Sequence, residues 1–381
     1  MTEPPFDITD SRLAAAAWSR IAESDDAAAR PLLATSGPVA ALDWLYRGGQ
    51  GAPPGMRPAP QWAAAAGRWL PRLHNLDPRR ELDVITRRGG RLLIPGDEDW
   101  PVPVDDLPDP PWCLWALGPG NPAHLAATSV SIVGARACTD YGQRAAQDLA
   151  YEIGSERVTI VSGGAFGIDA AAHQAALAAE APVVAVMAGG LDRFYPHANS
   201  SLLQQVADCG AVLAEVPPGT APMRSRFLRR NRLIAALGRA TVVVEAGWRS
   251  GALNTARAAG ELLRPVGAYP GPVTSAASAG CHRMIRDGEA VLVTGATDVL
   301  ELISPLGTVQ GAEPAVQPGL LDDLGPEQAR VMDALPARAA AGFDNLVRAS
   351  GLTVTQVRAA LGMLELGGHV RRDGVGWRRA G

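Results

Sequence analysis

The chain has 381 residues, of which 47% are hydrophobic, 19% charged and 5% aromatic, and its formal net charge is −4. All 35 basic residues are arginines, which excludes a Walker A lysine and a lysine Schiff base. The net charge alone does not indicate a nucleic-acid binder, but a basic patch can lie within an acidic chain.

The cysteines and the amino terminus exclude further classes of protein. Cys113, Cys138, Cys209 and Cys281 are widely spaced, so they predict neither a zinc site nor a disulfide framework. Residues 1–10 are polar and acidic, unlike a signal peptide, and no apolar run reaches the ~18 residues of a membrane span. We therefore expect a cytoplasmic protein that makes no membrane contact and holds no metal or cofactor.

Residues 1–78 are alanine-rich and predict a small helical domain. A single helix is predicted over Ser11–Ala29, with Asp10 or Ser11 as its N-cap, and another over 61–73. The segment is either a relative of SAM or helix-hairpin-helix domains or a plain helical packing module.

Residues 79–305 predict an α/β domain, an extended Rossmann-like doubly wound parallel sheet. Near-continuous apolar strands alternate with helical stretches, as expected when helices cover both faces of a parallel sheet. The predicted strands are Ser129–Val133, Val158–Ser162, Val183–Met187, Ala211–Glu215, Thr241–Glu245, Pro265–Ala268 and Ala290–Val293. Ligands of such sheets bind at the carboxyl ends of the strands.

The remaining chain predicts a linker and a third domain. Residues 306–324 are rich in proline, glycine and glutamine, which is typical of a linker. Residues 325–381 then give three helical segments and a short hairpin, the order of a winged helix-turn-helix domain.

Candidate anion-binding groups follow the predicted strands. Gly134 and Arg136 follow the first strand, where backbone amides near a helix start can bind phosphate and an arginine can fork onto it. Ser162-Gly163-Gly164 ends the second strand, and Ser250-Gly251 precedes a predicted helix. Between Glu215 and Glu245 there are six arginines and no acidic residue, which favours phosphate contact over an ordinary mixed-charge surface.

Taken together and in order, these loops resemble the DNA-processing protein A (DprA/Smf) family. The family's pattern runs VG-(S/T)-R, SG-x-A-x-GID-x-x-AH, G-x-D-x-x-YP, F-x-x-RNR, VEA…SG-x-L-x-TA and PG…G-(C/T). The chain matches it from Val133 to Gly288, with Ala135 in the serine or threonine place. His197 stands where a basic residue often follows the YP pair, and Phe166 stands where arginine or leucine is common.

The resemblance implies a non-enzymatic homodimer that binds single-stranded DNA. It also implies delivery of a RecA-type recombinase onto that strand, as in natural transformation of competent cells or in DNA repair. The predicted DNA- and phosphate-binding residues are Gly134, Arg136, Ser162, Gly163, Gly164, His197, Arg229, Arg230, Asn231, Arg232, Ser250 and Gly251.

Two alternatives remain open from the sequence. One is a nucleotide-handling Rossmann enzyme of the phosphoribohydrolase kind, in which Glu245 or Asp192 would act on a ribose; its P-G-G-x-G-T-x-x-E signature is absent from 245–251. The other is a nucleotide-sensing module.

Overall fold

The computed structural model describes residues 4–304, 324–336, 339–374 and 376–380. The chain divides into two compact units, Met1–Gly311 and Ala312–Gly381, which are taken one at a time below. The predicted linker at 306–324 lies outside the described residues except for its last position.

The first unit begins with helices that pack around tryptophan side chains. Trp18 and Trp69 meet edge to face with ring centroids 5.2 Å apart, and both are buried. The helices are α1 (Ser11–Ile21), α2 (Ala29–Tyr46), α3 (Pro60–Trp69) and α4 (Pro78–Thr86), with a 3₁₀ turn at Leu70–Asn75.

The single helix predicted over Ser11–Ala29 is wrong, because α1 ends at Ile21. The carboxylate of Asp26 accepts hydrogen bonds from the backbone N–H groups of Ala28 (3.0 Å) and Ala29 (3.2 Å) at the start of α2. Short polar side chains compete with helical hydrogen bonding and favour helix starts, so the Glu23–Asp26 run separates two helices. Of the two N-cap candidates, Asp10 and Ser11, the structure has Asp10, whose side chain accepts hydrogen bonds from the N–H groups of Arg12 and Leu13.

A nine-stranded sheet forms the centre of the first unit. The strands are β1 (Gly90–Leu93), β2 (Leu114–Leu117), β3 (Ser129–Val133), β4 (Thr159–Ser162), β5 (Val183–Met187), β6 (Ala211–Ala214), β7 (Ala240–Val243), β8 (Val266–Ala268) and β9 (Val291–Leu292). Their order is β1-β2-β6-β5-β4-β3-β7-β8-β9. The seven strands from β6 to β9 are parallel, and β2 and β1 extend the β6 edge in antiparallel pairing. The predicted Rossmann-like class is confirmed.

Helices cover both faces of this sheet. They are α5 (Pro122–Ala127), α6 (Asp140–Ser155), α7 (Ile168–Ala178), α8 (Ser200–Cys209), α9 (Arg224–Leu237), α10 (Ala252–Glu261), α11 (Ala279–Arg286) and α12 (Ala296–Ile303). Successive residues of a strand belong to different hydrophobic cores on the two faces of the sheet. Ile132 packs with residues of α6 and α7, and Val133 packs with residues of α9 and α10. Burial on both faces explains why the strands are apolar throughout.

The direction of winding reverses between β3 and β7. From β3 the chain proceeds outward through β4, β5 and β6, then returns to place β7 on the other side of β3. Helices on the two sides of such a point diverge and leave a crevice at the carboxyl ends of the strands, where ligands of open α/β sheets bind.

The second unit has the predicted order of three helices and a hairpin. The elements are α13 (Pro326–Ala334), β10 (Ala341–Gly342), α14 (Phe343–Ser350), α15 (Val354–Leu366), β11 (Val370–Asp373) and β12 (Gly376–Arg379). Val331, Leu346 and Leu361 are almost fully buried in its own core. Thr353 caps α15 reciprocally with Gln356. In the described part of the chain, no helix has both the length and the apolar character needed to cross a membrane.

Candidate nucleic-acid interface

A cleft of about 830 Å³ lies at the carboxyl ends of β3 and β7, where the direction of winding reverses. Its walls are the loop after β3, the loop after β7 and one face of α9. Six of the twelve predicted binding residues line it: Gly134, Arg136, Arg230, Asn231, Ser250 and Gly251. The sequence therefore identified both loops and the arginine segment that meet at this crevice.

The loop after β3 is packed so closely that it requires glycine. A Cβ atom at Gly134 would collide with the side chain of Ile168 on α7. The N–H of Ala135 donates to the carbonyl of Glu245 over 2.7 Å, which ties this loop to the one after β7. Arg136 follows and is exposed, so its charge is presented at the cleft on a fixed backbone.

The cleft face of α9 combines cationic and aromatic side chains. The guanidinium of Arg136 lies 4.7 Å from the ring centre of Phe227, and the ring of Tyr195 lies 5.7 Å from it. Arg224, at the start of the helix, is exposed, and no salt bridge to it is found among the described residues. Cation–π contact keeps Arg136 in place without neutralising its charge, so it stays available to an anion.

Arg230 is buried beneath the cleft and ties two strand ends together. Its Nη1 donates to the carbonyl of Gly163 over 2.7 Å and also to the carbonyl of Val186. Burial lowers the pKa of Arg230 to about 10, which leaves it charged at neutral pH. A Cβ at Gly163 would overlap the guanidinium, so this glycine makes room for the arginine.

Two further ionisable side chains, Asp169 and His173, are buried beneath the cleft as Arg230 is; these three residues are called the buried layer. The carboxylate of Asp169 accepts from the N–H of Gly163 (3.2 Å) and of Ala165 (3.4 Å), and burial raises its pKa. His173 is fully buried, and burial lowers its pKa to about 4, so the ring is neutral at pH 7. The nearby charge of Arg230 opposes the effect of burial on the pKa of Asp169, whose side chain also holds the glycine loop.

The loop after β7 is also fixed by its backbone. The N–H of Ser250 donates to the carbonyl of Gly247 over 3.1 Å, and the amide of Asn231 donates to the carbonyl of Gly251 over 3.2 Å. Trp248 and Arg249 lie on this turn, and both are exposed.

Sequence reasoning missed five arginine and aromatic residues that line the cleft: Tyr195, Arg224, Phe227, Trp248 and Arg249. The sequence indicates the arginine segment, but only the helical phase of α9 shows that Arg224, Phe227 and Asn231 share one face. For Trp248 and Arg249 the only signal was their position directly after a strand end.

Glycine and hydroxyl residues of the β4 loop lie outside the lining of the cleft. Ser162 is buried, and its hydroxyl donates to the carbonyl of Ile132 over 2.6 Å. Gly163 and Gly164 are also buried, and Gly164 has a φ of 64°. His197 is exposed in a short 3₁₀ turn and does not line the cleft.

The other arginines of α9 face acidic partners. Arg226 pairs with Glu23 at 2.5 Å and Arg229 with Asp25 at 2.7 Å, both from the loop between α1 and α2. Arg232 pairs with Glu215 at 2.5 Å, with 14% and 8% of the two side chains exposed. The segment between Glu215 and Glu245 has no acidic residue of its own, and the acidic partners of these arginines come from outside it.

Residues 91–304, more than half of the chain, match the model of the family described as DNA recombination-mediator protein A. The chain belongs to this family. A putative DNA processing protein DprA of Mycobacterium tuberculosis H37Rv is 44% identical over 385 aligned positions, covering 96% of this chain and 95% of that protein. Residues 313–374 match the DprA winged helix domain, which confirms the class predicted for the second unit.

Solved structures of family members share the fold. DNA processing protein A of Streptococcus pneumoniae superposes with a TM-score of 0.60 at 30% identity, covering 77% of this chain and 98% of its own. DNA processing protein A of Helicobacter pylori gives 0.50 at 29% identity, covering 56% and 94%, and its structure was described for a unique single-stranded DNA binding mode. The residues that match the family model, 91–304, include β2 to β9 and the loops that line the cleft.

Proposed function

We propose that this chain is a single-stranded-DNA-binding recombination mediator, and that it delivers a RecA-type recombinase onto the strand. The observation that carries the proposal is the cleft at the winding reversal, where the exposed side chains of Arg136, Arg224 and Arg249 share the lining with aromatic residues. Family membership and the single-stranded DNA binding mode of the H. pylori relative support it.

The geometry suits a flexible, charged strand. Cations on both walls of the cleft attract phosphates whatever the base sequence, and phosphate neutralisation by arginine releases counterions. Phe227 and Tyr195 offer aromatic surface to bases that are not paired, which a duplex keeps stacked inside. Because the whole chain has a net charge of −4, we assign the attraction for phosphates to the cations of this cleft.

The alternative of a nucleotide-cleaving enzyme gains no support from its candidate acids. Both oxygens of Glu245 accept hydrogen bonds from Thr139, one from its N–H and one from its hydroxyl, each over 2.8 Å. Glu245 is 1% exposed. Asp192 accepts from the N–H of Gly219 and does not line the cleft. We therefore propose a mediator without catalytic activity of its own.

The proposed functional division follows the predicted boundaries 1–78, 79–305, 306–324 and 325–381. The cleft belongs to 79–305, and we assign strand binding to it. Helix α15 carries only Arg358 as a positive charge, whereas the hairpin carries Arg371, Arg372, Arg378 and Arg379. We propose a homodimer that works in the cytoplasm in transformation or repair, with the winged helix as an accessory to strand binding.

The test measures binding and loading separately. Fluorescence anisotropy of the full chain with an oligothymidylate and with a duplex of equal length should show much tighter binding to the single strand. A RecA-type recombinase should then start ATP hydrolysis sooner on strand covered with single-strand-binding protein when the chain is added. Equal affinity for both DNA forms, or release of free base from nucleoside monophosphates, contradicts the proposal.

A further inference from the structure

Trp248 differs from every other tryptophan of the chain in its exposure. The side chain is 57% exposed, whereas the other eight, all among the described residues, are buried or half-buried. Leaving a large aromatic surface in water forgoes roughly 1.5–3 kcal/mol of burial free energy. A solvated indole in the wall of a ligand cleft therefore points to a contact made when the ligand arrives.

The backbone that carries Trp248 is held before any ligand binds. Gly280, at the start of α11, donates its N–H to the carbonyl of Ala246 over 2.7 Å, and a Cβ at Gly280 would collide with the backbone of residues 246 and 247. The turn from Gly247 to Ser250 is closed by its own 3.1 Å hydrogen bond. A rigid loop loses little conformational entropy on binding. The favourable free energy of contacts with the ring is therefore not cancelled by the cost of ordering the loop.

Charges next to the ring suit a nucleotide rather than a purely apolar ligand. The guanidinium of Arg283 on α11 lies 5.5 Å from the ring centre of Trp248. Arg249 is the next residue and is exposed. An aromatic side chain with cationic neighbours matches the alternation of base and phosphate along a single strand.

We propose that Trp248 is a stacking platform for one unpaired base of the strand, at the wall of the cleft formed by the loop after β7. This inference rests on the proposed function, because it assigns a residue to the strand that the cleft binds. Every base has a π-face, so the contact favours single strands over duplex without reading sequence.

The experiment compares normal and base-free strands. Affinities of the full chain and of the W248L and W248F variants are measured for an oligothymidylate and for an abasic deoxyribose-phosphate oligomer of equal length. Leucine keeps apolar bulk but removes the π-face, and phenylalanine restores a smaller one. The control is Y151L on α6, whose side chain is 51% exposed and does not line the cleft.

We expect W248L to bind oligothymidylate about 5-fold to 150-fold more weakly, with W248F between it and the unaltered chain. Affinity for the abasic strand stays unchanged in both variants, and Y151L behaves as the unaltered chain. Equal losses on both strands, unchanged binding to both, or a changed oligomeric mass of W248L overturns the role of Trp248. Failure of the unaltered chain to bind oligothymidylate instead overturns the proposed function.

Discussion

The two faces of helix α9 carry similar charges in different surroundings. On the cleft face, Arg224 is exposed and lines the cleft together with Phe227. On the opposite face, Arg226 and Arg229 lie against Glu23 and Asp25 at 2.5 and 2.7 Å. A count of arginines therefore overstates the positive potential of the segment, and the fold decides which of them a phosphate can reach.

The largest effect is expected for Arg230, which lies between the two faces. The R230M variant leaves the buried carbonyls of Gly163 and Val186 without a donor and Asp169 without its compensating charge. Each unsatisfied buried group costs about 1–3 kcal/mol, so the free energy of unfolding should fall by about 3 kcal/mol or more. Urea unfolding measures it, with R224A as the matched control. If R230M were as stable as R224A, the buried contacts of Arg230 would not stabilise the fold as proposed.

Loss of a cationic group from the cleft should weaken strand binding without unfolding. R136A and R224A each remove one charge-assisted contact, so affinity should fall about 10-fold to 150-fold. Anisotropy with an oligothymidylate gives the affinity, and circular dichroism checks the fold. Normal binding by either variant would place that residue outside the strand path.

The buried layer should also give the protein a pH dependence. The folded pKa of His173, about 4, lies below the ordinary value of 6.5, so the unfolded chain binds the proton more readily between these values. Stability should therefore fall as pH drops below about 6.5, by about 2 kcal/mol at pH 5. Burial raises the pKa of Asp169, so its protonation changes the stability in the opposite direction.

The measurement is urea unfolding at pH 7 and pH 5 of the unaltered chain and of H173L. The variant should lose most of the difference between the two pH values. A difference that persists in H173L would assign the titration to another group.

The smallest effect is expected on the paired face of α9. In R226Q/R229Q two ion pairs are lost, each about 0–1 kcal/mol because the partners are partly exposed. Strand affinity should change less than about 3-fold, since both charges already have carboxylate partners. Binding as weak as in R136A or R224A would show that the strand crosses this face and displaces Glu23 and Asp25.

The fold was readable from the sequence because its signals are local. Apolar runs bounded by glycine loops placed β3 and β5 at the observed residues, and the ordered loop motifs indicated the family. The crevice could be anticipated as well, because strand ends in an open parallel sheet share one edge.

The sequence did not show which arginines of α9 are paired with carboxylates and which are free to bind an anion. The partners of Arg226 and Arg229 lie about 200 positions earlier in the chain. The sequence predicts continuous helix there, whereas in the structure Asp26 caps the start of a second helix. Ser162 has a hydroxyl next to a glycine loop, as a phosphate ligand would, yet it bonds to a neighbouring strand. The partners of these side chains depend on tertiary packing, which the periodicity of the sequence does not reveal.

The most direct test of the account is the salt dependence of oligothymidylate binding in three proteins: the unaltered chain, R136A/R224A and R226Q/R229Q. Each lost phosphate contact should reduce the log–log slope by about 0.7. The account predicts a slope shallower by about 1.4 in R136A/R224A and an unchanged slope in R226Q/R229Q. A slope lowered only in R226Q/R229Q would contradict it, because phosphates would then contact the face of α9 that the acidic loop covers.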